Sequence, residues 1–375
     1  MPFMPLIFLS ALLHLYVGWR IVPDLAALWA AWVFGLLLIC SAALMPMGFF
    51  ARRMRHRALS DALAWAGLVF MGFFSSLFVL TLLRDVGLLL GTITLGVAVG
   101  VPLWTARAVP VLAVIVTLWG FINARRRAAI VSVDVPIRGL PQALHGFTIA
   151  QISDIHVGPT IKGPYLQAIV DAVNGMQVDM VAVTGDLVDG SVRELSAHVA
   201  SLASLNSRHG TFFVTGNHEY YSGAHAWIAE LRRLGIRVLM NEHTVLQHGT
   251  EPLVVAGVAD YGAHLFDPTH RSDPQAAIAG APAHAAVRVL LAHQPRSAEA
   301  AERAGFQLQL SGHTHGGQFF PWNFFVPLQQ PFTAGLHRLK RLWVYTSRGT
   351  GYWGPPKRFG APSEITRLTL VPAPA

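Results

Sequence analysis

Five short runs in the second half of the chain carry side chains able to hold a metal or move a proton. They are Asp154-Ile155-His156, Gly185-Asp186-Leu187-Val188-Asp189, Gly216-Asn217-His218-Glu219, Ala292-His293 and Gly312-His313-Thr314-His315. Taken singly, each is weak, because an isolated Asp-x-His or a lone histidine is more often structural or simply exposed. Together they offer four carboxylates (Asp154, Asp186, Asp189 and Glu219), one amide (Asn217) and up to five imidazoles. Imidazole favours zinc, iron, nickel or copper, while carboxylate and amide oxygens favour manganese or magnesium. The mixture contains no thiolate, which points to an octahedral-type site rather than a tetrahedral structural zinc. The chain has one cysteine, Cys40, which excludes an intrachain disulfide framework. Glycines before Asp186, Asn217 and His313 permit tight turns and close backbone approach. Asp154 and His156 lie two residues apart and would project together from an extended segment. His313 and His315 would do so if their loop bends.

Each run follows an apolar stretch that reads as a buried strand: 147–152, 178–183, 211–214, 287–291 and 306–310. Helical patterns lie between several of them, at 165–176, 193–205 and 224–234. The alternation predicts an α/β domain with sheets covered by helices, its site where the strand ends converge. Upstream, Val131, Val133 and Val135 alternate as a short strand and are followed by a turn at Gly139 and Pro141.

The first third of the chain has a different composition. The 375 residues are 53% hydrophobic and only 13% charged, with a mean hydropathy of +0.45. An average soluble domain carries about a quarter charged residues, so neither a disordered chain nor an ordinary soluble enzyme fits. Five apolar stretches without a charge occupy 1–19, 25–50, 62–82, 86–106 and 108–124. A spanning helix needs about 20 apolar residues. The first stretch lacks a basic leader and is closely followed by another, so it reads as a span rather than a signal peptide. Clusters at Arg52, Arg53, Arg55, Arg57 and at Arg125, Arg126, Arg127 both favour the cytoplasmic side, which requires an even number of spans between them. Stretch 86–106, with four glycines (Gly87, Gly91, Gly96 and Gly100) and Pro102, is the weakest span. If it is re-entrant or merges with the next, four spans remain and the C-terminal domain faces the cytoplasm. Residues 1–124 thus read as a multi-span anchor of four to five helices, and 125–145 as a linker and leading strand. Polar candidates within the spans are few, chiefly His14, Ser41, Ser75 and Ser76, which disfavours a transporter or channel.

Of the net charge of +8, +7 belongs to this apolar part and its flanks. Residues 1–127 hold ten basic and three acidic residues, and the remainder holds 18 basic and 17 acidic, so no nucleic-acid-binding surface is indicated. A serine hydrolase is disfavoured because no Gly-x-Ser-x-Gly occurs. The Gly158 to Gly163 spacing imitates a phosphate loop, but Pro164 stands where its lysine belongs.

In order and spacing, the five runs resemble the calcineurin-like metallophosphoesterase superfamily over residues 146–372. The later segments Ser347-Arg348-Gly349-Thr350-Gly351 and Gly360-Ala361-Pro362-Ser363-Glu364-Ile365 resemble a bacterial, membrane-anchored branch of it. The resemblance implies an α-helical transmembrane region followed by an α/β four-layer (αββα) sandwich, two sheets between helices. It implies two divalent ions, of manganese, iron or zinc. Asp154, His156, Asp186 and His315 would hold one, and Asp186, Asn217, His293 and His313 the other, with Asp186 bridging. The implied reaction is hydrolysis of a phosphodiester, pyrophosphate or phosphomonoester by a metal-bridging hydroxide. His218 would protonate the leaving oxygen or contact the phosphate. Asp189 would orient a metal ligand or merely cap a turn, and Glu219 would act in catalysis or merely start a helix. The remaining histidines, among them His198, His209, His225, His243 and His270, read as surface or packing residues.

Partners implied are the lipid bilayer and a phosphoester substrate, with a lipid-linked one among the candidates. Relatives that cleave a UDP-linked diacyl sugar (UDP-diacylglucosamine-type pyrophosphatases) supply one alternative, and a non-catalytic membrane protein with a structural metal centre another. The aromatic run 319–328 reads chiefly as a packed loop, or else as a lip reaching the membrane interface. Lys340, Arg341, Arg348, Lys357 and Arg358 read as solvated surface or phosphate contacts.

Overall fold

The computed structural model describes residues 4–374 except 52, 53, 55, 95 and 97–99. The chain divides into two compact units, Met1–Arg125 with Gly354–Phe359, and Arg126–Trp353 with Gly360–Ala375.

The first unit is helical: α1 (Met4–Ile21), α2 (Leu28–Phe50), α3 (Arg57–Thr94) and α4 (Val101–Arg125). All four are long and apolar enough to cross a membrane. Stretch 86–106 is not an element of its own. Its first part continues α3, which runs for 38 residues, and its last part opens α4. At 1.5 Å per residue α3 is about 57 Å long, well beyond the ~30 Å of a hydrocarbon core. Of the arginines used above for orientation, Arg52, Arg53 and Arg55 fall outside the described residues.

Apolar side chains drive no association between helices already in lipid, so close packing and polar contacts must do it. Both occur here. A Cβ on Gly67 would lie 2.5 Å from the Leu44 carbonyl and 2.6 Å from the Gly48 nitrogen, so α2 and α3 touch backbone to backbone. His14 stacks on Phe74 at 3.6 Å and bonds to the Ser10 carbonyl (2.7 Å) and the Ser41 hydroxyl (2.9 Å). Four charges that the sequence reading left in loops form a network. Arg84 pairs with Asp24 and Asp85, while Arg20 Nε (2.8 Å) and the Tyr16 hydroxyl (2.5 Å) reach Asp85. The segment Gly354–Phe359 belongs to this unit too. Lys357 Nζ donates to the Gly72 carbonyl (2.8 Å) and to Ser76, and Arg358 N–H to the Gly120 carbonyl (2.8 Å). Both side chains are buried. Lys357 and Arg358 are therefore neither solvated surface nor phosphate contacts.

In the second unit the strands are β1 (Ala129–Ile137), β2 (Thr148–Ile152), β3 (Met180–Val183), β4 (Thr211–Phe213), β5 (Arg237–Val238), β6 (Glu242–His248), β7 (Glu251–Gly257), β8 (Val287–Leu291), β9 (Leu308–Ser311), β10 (Gly335–Leu339), β11 (Leu342–Thr346) and β12 (Glu364–Pro372). The helices are α5 (Gly163–Gly175), α6 (Val192–Val199), α7 (Asn217–Ser222), α8 (Ala224–Arg233), α9 (Pro274–Ile278) and α10 (Ala298–Arg303). Two six-stranded sheets form, in the orders β1-β12-β2-β3-β4-β5 and β10-β11-β9-β8-β7-β6. The main core lies between them, with Ile149, Met180 and Phe212 from the first sheet and Val255, Val289 and Leu310 from the second. Strands buried on both faces carry unbroken apolar runs. Accordingly Val254 and Leu290, on the other face of the second sheet, pack under Ala298 and Ala301 of α10. The parallel β2–β3–β4 steps are joined through α5 and α6, which bury one face each. The result is the αββα sandwich the resemblance implies. Within 125–145, residues 129–137 form the leading strand expected from Val131, Val133 and Val135; it lies at the sheet edge and runs parallel to β12 with Ala129 opposite Glu364.

Candidate metal centre

The candidate ligands sit in the loops that leave β2, β3, β4, β8 and β9. Backbone bonds lace these loops together. Asp154 N–H donates to the Gly185 carbonyl (3.0 Å), His156 N–H to the Asp186 carbonyl (3.1 Å) and Gly312 N–H to the His293 carbonyl (2.9 Å). The Glu219 carboxylate accepts the N–H groups of Asp186 (3.0 Å), Leu187 (2.8 Å) and Gly216 (2.6 Å). Glu219 therefore starts a helix and also clamps the β3 loop to α7.

The convergence of Asp154 with His156 has a different cause from the pleat expected of an extended segment. Asp154, His156, Asp186, His313 and His315 have φ of 54°, 57°, 51°, 70° and 51°, in the left-handed region. Such a conformation costs a non-glycine residue roughly 1–3 kcal/mol. Five of the nine described non-glycine residues with positive φ are thus candidate ligands. The fold holds strain where the donors must meet.

Two groups of donors result. Ligand atoms of Asp154, His156 and His315 lie within 4.8 Å of one another, as do those of Asp186, His293 and His313. His156 Nε2 is 3.1 Å from His315 Nε2, and His293 Nε2 is 3.1 Å from Asp186 Oδ2. His156 Nε2 also lies 3.9 Å from Asp186 Oδ2, so Asp186 stands between the groups. The two 3.1 Å separations match the ~3 Å edges of a shell built on ~2.0–2.1 Å metal–ligand bonds. Asn217 Oδ1 is buried and has no hydrogen-bond partner. An orphaned amide oxygen is costly in a folded chain, and a cation would satisfy it. The donor set, all nitrogen and oxygen, suits two divalent ions.

Electrostatics agrees. Burial opposes charge on both Asp186 and His293. Each nevertheless stabilises the charged form of the other, holding Asp186 well below and His293 well above their ordinary values. The His293 Nδ1–H donates to the Thr184 carbonyl (2.7 Å), which turns Nε2 toward Asp186. Metal ligands must be deprotonated, so a cation would displace the His293 proton and take over its compensation of Asp186. Burial pushes Asp154 up, and burial together with the charge of His293 pushes His313 down to about 3.

Asp189 Oδ1 accepts from His156 Nδ1–H (3.0 Å) and His218 Nδ1–H (2.6 Å). It fixes the tautomers of both rings, as carboxylates behind metal-binding histidines do. Burial works against ionisation of Asp189, but the two histidines hold it well below the carboxylate range. His218 is raised to about 9, its burial outweighed by the Asp189 hydrogen bond and the nearby carboxylates.

Sequence reasoning missed Asp260, which is buried next to this centre and accepts from Gln294 Nε2 (3.0 Å) and Gly262 N–H (2.8 Å). Its signal was present: an apolar run through β7 ends in an acid, as at Asp154 and Asp186. Of the cations considered for phosphate, Arg348 pairs with Glu364 (2.7 Å), Lys340 pairs with Glu302 (3.1 Å), and Arg341 is exposed. Most of the aromatic run is exposed rather than packed: Phe319 is buried, but Phe320, Trp322, Phe324, Phe325 and Leu328 are exposed.

Gly312 shows how tight the centre is. A Cβ there would lie 2.0 Å from Ser153 Oγ and 2.1 Å from Asp154 Oδ2. Moving the loop away would break the His313 N–H bonds to both Asp154 oxygens (2.9 and 3.0 Å). Gly312→Ala is expected to cost about 1–3 kcal/mol and to weaken metal retention. Thermal melts of the apo and metal-loaded protein check this, the difference between them shrinking in the variant.

Comparisons with known proteins fit this geometry. The profile of the "Calcineurin-like phosphoesterase" family matches residues 147–317. A Bos taurus protein named "Transmembrane protein with metallophosphoesterase domain" is 40% identical over 71% of this chain and 63% of its own length. Its namesake in Danio rerio is 38% identical over 70% and 63%. The chain thus spans under two thirds of the length of these relatives. An Aquifex aeolicus protein named "Uncharacterized metallophosphoesterase" is 32% identical over 59% of this chain and 84% of its own. With its two-sheet sandwich, its paired donor groups and these relatives, the chain belongs to the calcineurin-like metallophosphoesterase family.

Proposed function

We propose that the protein is a membrane-anchored phosphoester hydrolase that works with two divalent ions, of manganese, iron or zinc. The observation that carries this reading is the pair of donor groups meeting at Asp186, with the unpartnered Asn217 oxygen beside them. When bound, such ions supply Lewis acidity to the phosphoryl oxygens and acidify the attacking water. The protein's own residues do the rest. Asp154, His156, Asp186, Asn217, His293, His313 and His315 hold and space the ions. Asp189 holds the His218 ring by Nδ1, leaving Nε2 to give its proton to the departing oxygen. Raised to about 9, His218 carries that proton at neutral pH. Four spanning helices and the run Arg125, Arg126, Arg127 support a catalytic unit on the cytoplasmic side.

The test is hydrolysis of a chromogenic phosphodiester and a monoester by the detergent-solubilised full chain with added manganese, iron or zinc. Metal-dependent turnover of either is expected. A metal-loaded, folded protein inert toward these and toward acylated phosphoesters would instead support a structural metal centre.

A lipid-linked substrate, such as a diacylated sugar nucleotide, is favoured by one observation. The exposed aromatic segment begins directly after the ligand loop, and Gln318 in that loop bonds to the backbone of Trp353, whose ring lies 5.8 Å from that of His218. Replacing Trp322, Phe324 and Phe325 together with serine is expected to cut turnover of an acylated phosphoester at least ~10-fold while sparing a chromogenic diester, since each buried aromatic contributes on the order of 1–2 kcal/mol. Equal losses on both substrates would discard the lipid reading.

A further inference from the structure

Outside this centre, the described residues hold a second kind of donor cluster. His225 lies on α8, Asp267 caps a short helical turn, Pro268–His270, and His270 is that turn's last residue. Ligand atoms of the three lie within 4.8 Å of one another. His225 Nε2 is 2.9 Å from Asp267 Oδ2, and His270 Nε2 is 3.9 Å from the same oxygen. The rings of His225 and His270 have centroids 4.9 Å apart.

The surroundings prepare these atoms for one common partner. Asp267 spends Oδ1 on the Thr269 N–H (2.9 Å) and hydroxyl (2.6 Å), which leaves Oδ2 for the histidines. The Tyr220 hydroxyl bonds to His270 Nδ1 (2.8 Å) and so directs Nε2 toward Asp267. This is the arrangement by which a polar group behind a metal-binding histidine sets its ring orientation. Thr269 holds Asp267 down at about 2, and burial lowers His270, so both are present in the unprotonated form that metals need. The His225 side chain is 73% exposed, so an ion has a way in and room for water ligands.

We propose that His225, Asp267 and His270 form a third metal site, separate from the paired centre, that takes one zinc ion with water completing its shell. Two imidazoles and one carboxylate with no thiolate suit zinc among the common divalent ions. The site ties the 263–270 loop to α8. Phe266 of that loop packs on Tyr221 at 5.5 Å, and Tyr221 packs on His218 at 5.1 Å. Zinc would thereby fix the wall beside His218 without touching the reacting atoms.

The experiment counts zinc per chain in the detergent-solubilised full-length protein after equilibrium dialysis against buffered micromolar zinc. Wild type, His225→Gln, His225→Cys and His243→Gln are compared. His225→Gln is expected to bind one zinc fewer per chain than wild type, with His225→Cys restoring it and His243→Gln unchanged. Equal zinc content in wild type and His225→Gln, or an equal loss in His243→Gln, would overturn the proposal. The count is independent of turnover and of the paired centre, which every variant retains.

Discussion

Asp186→Asn is expected to abolish metal-dependent hydrolysis, lowering kcat by at least about 10²–10³-fold, the scale seen when one preorganised electrostatic group is removed. The reason is positional. Asp186 stands between both donor groups, and its two oxygens serve different neighbours. Oδ1 accepts the His218 N–H (2.9 Å), and Oδ2 faces His293 (3.1 Å) and His156 (3.9 Å). An amide keeps the size but loses the charge, and its NH₂ end would oppose one of those donors. The fold should survive, because removing the charge also removes a buried carboxylate. Steady-state kinetics with metal analysis checks the effect. A variant that binds two ions and retains wild-type kcat would show that Asp186 is not shared between them.

His218→Gln is expected to leave metal content unchanged and to lower kcat according to the leaving group. General acid catalysis contributes about 10²–10⁴-fold, but only where the departing oxygen needs a proton. An alkyl phosphodiester should lose most of that factor and a nitrophenyl diester little. The pH dependence follows by sign. His218 is raised from its ordinary 6.5 to about 9, so its acid form persists at neutral pH and is lost as the pH rises through about 9. Wild-type activity on an alkyl ester should fall above that point, and the variant's profile should lack the fall. A uniform loss on both substrates would assign His218 to phosphate binding instead.

Much of this was readable from residue order. Five apolar runs ending in polar clusters announced β2, β3, β4, β8 and β9 and the edge at which their loops meet, because charged groups buried at strand ends, as Asp154 and Asp186 are, must find compensating partners there. Other features were hidden for physical reasons. Alternation suggested that Asp154 and His156 meet through a pleat, whereas both residues adopt left-handed φ. Backbone bonds from the β3 loop, together with the N–H groups of Gly351 and His313 on Asp154, all distant in sequence, hold them there. Residues Arg84 and Asp85 looked like a loop because charges interrupt apolar stretches. In the structure α3 runs through them, and Asp24 and Arg20 supply the compensation. Lys357 and Arg358 looked solvent-facing for the same reason. Their burial depends on Gly72 and Gly120, which leave room for them; a Cβ on Gly120 would lie 2.6 Å from Lys357 Cγ. Composition marks charge, but it does not mark which backbone carbonyls await it.

The most direct test of the central claim is a metal titration of turnover. The detergent-solubilised full-length protein is stripped with a chelator and assayed on a chromogenic phosphodiester as manganese is returned. The two-ion account predicts no turnover in the stripped protein, and recovery that follows occupancy of two ions at the Asp186 centre, absent in Asp186→Asn. Turnover indifferent to the chelator, or full recovery in Asp186→Asn, would contradict it.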